Sequence, residues 1–169
     1  AVVLLYAIQF GRLHRVTVAT GKRLLENLMK IPRLMEEVLK QNKKIEAIAK
    51  KYSRAHNMFF LGRGVNYPVA LEGSLKLKEI AYIHSEAYPG GEMKHGPIAL
   101  LAKDFPVLAI ATKNQLYEKM VSNIQEAKAR QAKTIAIATV GVTDLAELAD
   151  DIIYVPKTME LLEPLVNTL

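Results

Sequence analysis

Four short apolar runs constrain this chain more than any other feature: MFFLG at 58–62, FPVLAIAT at 105–112, TIAIAT at 134–139 and DIIYV at 151–155. Each is continuous rather than alternating, the pattern of a strand covered on both faces. Between them lie PVALEGSLKLKEIAYI (68–83) and NQLYEKMVSNIQEAKARQA (114–132), whose apolar residues recur at helical spacing. Strands that alternate with helices need crossover connections, and crossovers give parallel pairing with helices on both faces. The expected fold class is therefore α/β, a three-layer sandwich with a mainly parallel sheet. N-terminal helices are expected at 1–14, 22–30 and 32–54, the last two divided at Pro32 because proline disfavours helix in the residue before it.

The chain has 169 residues, half of them hydrophobic, enough for one substantial core. A net charge of +6 suits anionic metabolites and does not by itself indicate nucleic acid. The basic run KKIEAIAKKYSR alternates with apolar positions at helical spacing and lacks interleaved aromatics, so it reads as a solvated helix face. Absence of cysteine excludes disulfides, thiolate catalysis and cysteine zinc sites, and fits a cytoplasmic setting. No apolar run reaches the roughly 18 residues of a membrane span. AVVLLYAI lacks a preceding basic segment and is expected to be a buried helix rather than a leader. The chain opens inside an apolar pattern and closes on LEPLVNTL with no helix stop signal, as a piece of a longer protein would.

In open parallel sheets ligands sit beyond the carboxyl ends of the strands. LGRGVNYP, after the first strand, falls there, yet it suits a tight connection better than a phosphate cradle. Asn66 is expected to cap the helix, Tyr67 is bulky and Pro68 has no N–H. TKNQ, after the second strand, has one hydroxyl and no glycine. The helix that follows LGRG is more suggestive. Glu72, Lys76 and Glu79 share one face at i, i+4 and i+7, with Lys76 in reach of both acids. Such a ladder can be a surface ion-pair network of small energetic weight. It leads, however, into HSEAYPGGEMKHGP (84–97), expected to be a loop, which concentrates titratable groups. A lysine beside a carboxylate favours its charged form, and an imidazole such as that of His95 suits proton transfer to an oxygen. His84 is the weaker candidate. His84, Glu92 and His95 have no recognised metal-ligand spacing, and no metal site is expected.

The stretch LGRGVNYPVALEGSLKLKEIAYIHSEAYPGGEMKHGPIALL carries LGRG, ALEG, LKLKE, EAY and KHGP in order. It resembles the second sugar isomerase (SIS) domain of the glutamine:fructose-6-phosphate aminotransferases. VVLLYAIQFGRLHR resembles the last helix of the preceding SIS domain, and LLEPLVNTL the start of the closing helix. The resemblance implies a division into residues 1–21, the end of a preceding domain and linker, and 22–169, an SIS domain with its closing helix cut short. It implies conversion of fructose 6-phosphate to glucosamine 6-phosphate with ammonia from glutamine, in a homodimer, without metal or organic cofactor. Glu79 matches the family's acid/base at the first two sugar carbons, Lys76 a lysine beside it, and His95 a ring-opening histidine that serves a neighbouring subunit's site.

The departures are equally informative. The family's hydroxyl-rich phosphate turns lie in its first SIS domain, and that domain apart from its last helix, the glutaminase domain and the C-terminal tail with its imine-forming lysine are not in this sequence. The chain alone is therefore expected to fold without catalysing the full reaction. Three alternatives stay open: a sugar-phosphate-binding SIS module of a transcription regulator, a stand-alone sugar-phosphate isomerase or deglycase, and a unit that serves mainly in dimerisation.

Overall fold

A computed structural model describes residues 2–169. Four helices come first: α1 (Val2–His14), α2 (Val18–Leu28), α3 (Ile31–Leu39) and α4 (Asn42–Tyr52). Then follow β1 (Asn57–Gly62), α5 (Tyr67–Lys76), a π-helical segment (Leu77–Ala81), β2 (His84–Pro89) and two 3-10 turns, Gly90–His95 and Pro97–Leu100. The chain continues through β3 (Pro106–Ala111), α6 (Tyr117–Ala129), β4 (Lys133–Thr139), β5 (Asp151–Val155) and α7 (Glu163–Asn167). All strand pairs are parallel, in the order β2-β1-β3-β4-β5. The α/β sandwich read from the apolar runs is the fold observed.

Each strand divides its side chains between two layers, as a two-residue period requires. Phe59, Leu61, Val107, Ala109, Ala136 and Ala138 face α6 and pack on Tyr117, Met120 and Ile124. Met58, Phe60, Ile110 and Ile135 face the other way, onto Val69 and Ala70 of α5. A third cluster joins Ile31 and Val38 of α3 to Val155 of β5 and Val166 of α7.

Four local expectations are corrected. Residues 84–89 form an edge strand in register with β1, from Asn57↔His84 to Gly62↔Pro89, not a loop. HSEAYP has no apolar run because this edge strand is only partly covered: Ala87 and Tyr88 pack partly buried on opposite faces, and Ser85 alone is fully buried, donating to the carbonyl of Ser74 at 2.8 Å. The division expected at Pro32 is present, since α2 ends at Leu28 and Pro32 lies in the first turn of α3, but the expected helix 32–54 is two helices, α3 and α4. Gln41 leaves the helical path between them to donate to the Tyr154 carbonyl of the exposed sheet edge. The stretch expected as one helix over 68–83 leaves α geometry after Lys76 and ends at Tyr82, in the left-handed region at φ 57°. Finally, α1 is not buried: only Ile8 is, while Val3, Tyr6, Phe10 and Leu13 stay exposed because α1 packs mainly on α2.

Asp150, just before β5, ties the far layer together. It accepts from the Thr134 N–H and from Lys128 Nζ, both at 2.9 Å. Burial works to raise its pKa, but the Thr134 N–H and the Lys128 ammonium outweigh it and lower the value to about 2. A carboxyl depressed in the folded state contributes stability above its unfolded pKa of about 4, and that contribution is lost as pH falls toward 2. The urea midpoint of the wild type should therefore drop more steeply between pH 4 and pH 2 than that of Asp150→Asn. Equal slopes would remove Asp150 from the acid transition.

Candidate active site

The turn after β1 sets the position of everything downstream. A Cβ on Gly62 would overlap the carbonyl of Asn66, so only glycine lets the chain fold back this tightly. The reversal starts α5 at the carboxyl edge and sends it antiparallel to β1 along the Met58 and Phe60 layer. Its far end, the π segment with Glu79, therefore lies toward the amino edge, where Tyr82 and Ile83 border the 53–56 connection. A π segment widens the helix locally and is a frequent feature of functional sites.

The acid–lysine–acid ladder exists as the spacing indicated. Lys76 Nζ lies 2.7 Å from Glu79 Oε2 and 3.6 Å from Glu72 Oε1, and all three side chains are about half exposed. The hydrogen bond and charge of Glu79, more than those of Glu72, raise the pKa of Lys76. Lys76 therefore keeps its proton at neutral pH. Glu79 is thus a solvent-reachable carboxylate held by an ammonium, able to accept a proton from a molecule laid over this face.

His95 is elsewhere. It ends the 3-10 turn that follows β2, at the carboxyl edge and on the α6 layer, where its neighbour Met93 is fully buried. β2 has six residues and spans about 17 Å. Glu79 and His95 lie beyond its opposite ends and on opposite faces of the sheet. One chain does not bring them together.

The His95 turn is nevertheless firmly built, through residues that the sequence reading did not single out. Arg63 Nε donates to Asn123 Oδ1 at 3.0 Å, and its guanidinium lies under Gly90 and Gly91: a Cβ on Gly90 would overlap Asn123 Oδ1, and one on Gly91 would crowd the guanidinium. Asn123 also donates to Glu126, whose other oxygen is 2.8 Å from Lys94 Nζ. Buried Met93 and paired Lys94 fix the backbone, so exposed His95 is presented outward from a rigid mount. The Gly90–Gly91 pair was the available signal, since adjacent glycines mark a close approach. His84 sits at the start of β2, 3.1 Å from Asn57 Oδ1 and 3.9 Å from Glu86, a surface arrangement. Tyr88, beside it on β2, donates to Glu86; burial first, then that bond, pushes its hydroxyl up to about 12. Among the described residues no cluster of three or more His, Cys, Asp or Glu is placed to hold a metal ion. No helix among them is long and apolar enough to cross a membrane.

A further correction concerns Asn66, which stands at the N-cap position of α5 but makes no capping bond with its side chain. It is 2% exposed and donates to Thr112 Oγ1 at 2.9 Å and Glu163 Oε2 at 2.7 Å. It helps fill the crevice between the tips of β1 and β3, where the sheet order reverses.

Residues 51–169 match the SIS domain family. The chain belongs to the SIS domain family. Among its relatives, the glutamine–fructose-6-phosphate aminotransferase [isomerizing] of Thermus thermophilus is 51% identical over 168 residues, covering 99% of this chain and 28% of the relative. The protein of the same name from Bacteroides thetaiotaomicron is 55% identical over 145 residues, covering 86% and 24%. The chain thus spans about a quarter of the length of these curated relatives. The solved C-terminal domain of glucosamine-fructose-6-phosphate aminotransferase from Francisella tularensis superposes with a TM-score of 0.90 at 35% identity, over 98% of this chain and 47% of that one. An RpiR transcription factor sugar isomerase domain from Sphaerobacter thermophilus, at 18% identity, 85% and 83% coverage and a TM-score of 0.70, shares the SIS fold.

The mount under His95 is open to test. A hydrogen bond from a charged donor contributes about 1.5–3 kcal/mol, or roughly ten- to a hundredfold in an opening equilibrium. Arg63→Ala should speed amide exchange across Gly90–His95 by about that factor while protection in β4 stays unchanged. Unchanged exchange in the turn would show that Arg63 does not hold it.

Proposed function

We propose that this chain is the second SIS domain of an isomerising glutamine:fructose-6-phosphate aminotransferase. In this reading residues 1–21 belong to the end of a preceding SIS domain and its linker, and 22–169 to the second. The observation that carries it is the 51% identity across essentially the whole chain to a named aminotransferase. The Lys76–Glu79 pair, held at 2.7 Å, supports it on chemical grounds.

The substrate is fructose 6-phosphate. Its carbonyl, or the imine formed with ammonia, acidifies the neighbouring C–H, so the reaction asks for one well-placed carboxylate. Glu79 takes the proton from one of the first two sugar carbons and returns it to the other, and Lys76 orients the carboxylate. His95 moves a proton on the ring oxygen. Its mount faces away from Glu79 of its own chain, which supports a site shared between two copies of a cytoplasmic homodimer. No metal or organic cofactor has a role in this chemistry. The 169-residue chain alone lacks most of the sugar-binding surface and is expected to form no measurable glucosamine 6-phosphate.

The shared site has a distinctive signature. In the full-length enzyme, homodimers of Glu79→Gln and of His95→Ala should each be nearly inactive with cyclic fructose 6-phosphate. Dimers mixed from the two variants keep one site with both groups intact, and should regain up to about half the wild-type rate. Mixed dimers no better than their parents would place both residues in one chain's site, or His95 outside the site altogether.

A further inference from the structure

The crevice between β1 and β3 carries an inference independent of any turnover of sugar. From β1 the chain moves to β2 on one side and then to β3 on the other, so the strand order reverses between β1 and β3. In an open parallel sheet that is the position where ligands enter. Here three uncharged donors converge on a single atom, Glu163 Oε2: Asn66 Nδ2 at 2.7 Å, Thr112 Oγ1 at 2.7 Å and Asn114 Nδ2 at 2.9 Å. Asn66 comes from the turn after β1, Thr112 and Asn114 from the turn after β3, and Glu163 from the first turn of α7. Asn167, one turn further along α7, donates to Asn66 Oδ1 at 2.8 Å and so aims the Asn66 amide nitrogen at the carboxylate.

Glu163 is 5% exposed, and no lysine, arginine or histidine pairs with it among the described residues. A buried carboxylate without a countercharge is costly unless oriented dipoles replace its hydration. The strand-end turns supply those dipoles. A cradle of neutral donors around one negative charge is the chemistry of an oxyanion site, and this one is occupied by the chain's own side chain.

We propose that the β1–β3 crevice is a small-oxyanion site filled from within by Glu163, and thereby closed to external carboxylate or phosphate. A sugar phosphate bound to this fold then has its phosphate held outside the crevice. Removing the internal carboxylate should leave the three donors ready for a small anion of similar charge and shape.

The test uses formate and acetate as probes, at constant ionic strength with chloride as control. Glu163→Ala should lose several degrees of thermal stability and recover most of it, saturably, as formate or acetate rises. Wild type and Glu163→Gln, which keeps the side-chain volume in place, should show no saturable gain over chloride. If Glu163→Ala is unfolded in chloride, refolding in formate or acetate supports the proposal, and failure to refold in either overturns it. A folded Glu163→Ala that ignores both anions, or a wild type that responds equally, also overturns it.

Discussion

The structure depends on one tight reversal, Gly62 to Asn66, in which the backbone after β1 packs against its own strand end at contact distance. A side chain at position 62 would displace Asn66, and Asn66 is where the turns after β1 and β3 and the helix α7 are joined by buried hydrogen bonds. The same reversal starts α5 at the carboxyl edge and aims it down the sheet, so that Glu79 emerges some three turns later at the other end. It also leaves Arg63 on the opposite side of the turn, under the glycines that carry the His95 segment. One local packing requirement thus positions two distant segments, those of Glu79 and His95.

Much of this was legible in the sequence. MFFLG, FPVLAIAT, TIAIAT and DIIYV became β1, β3, β4 and β5, because strands covered on both faces leave continuous apolar runs. β2 was not legible, since this edge strand buries only Ser85 fully, with Ala87 and Tyr88 partly covered on its two faces, and HSEAYP shows no apolar pattern. The break between α3 and α4 was hidden for another reason. Gln41 is a good helix former, and it turns aside to satisfy a strand edge more than a hundred residues away, a contact that local patterning cannot reveal. The helical spacing of Glu72, Lys76 and Glu79 did foretell their contacts, because i, i+3 and i+4 neighbours meet in any helix. The Asn66–Thr112–Asn114–Glu163 cluster is assembled from three remote segments, and Asn66 read alone resembled a helix cap.

Under the proposed function, the placement of Glu79 and His95, both open to solvent in the single chain, calls for a partner that desolvates them. A second copy that brings its own His95 turn over the Lys76–Glu79 face would supply the missing wall and exclude water at once. The rigid mount of Met93, Lys94 and Arg63 then has a purpose, since an imidazole offered across an interface must arrive already oriented. Glu163, held by Asn66, Thr112 and Asn114, keeps the crevice between β1 and β3 filled.

The central claim is that the carboxylate of Glu79 carries the proton between adjacent sugar carbons. Solvent deuterium incorporation into sugar phosphate measures that step directly, apart from ammonia transfer. With full-length enzyme in heavy water, wild type should exchange the carbon-bound hydrogen, and Glu79→Gln should lose that exchange by about a thousandfold or more while still binding sugar phosphate. Exchange at near wild-type rate in the Gln variant would contradict the account and move the base to another residue.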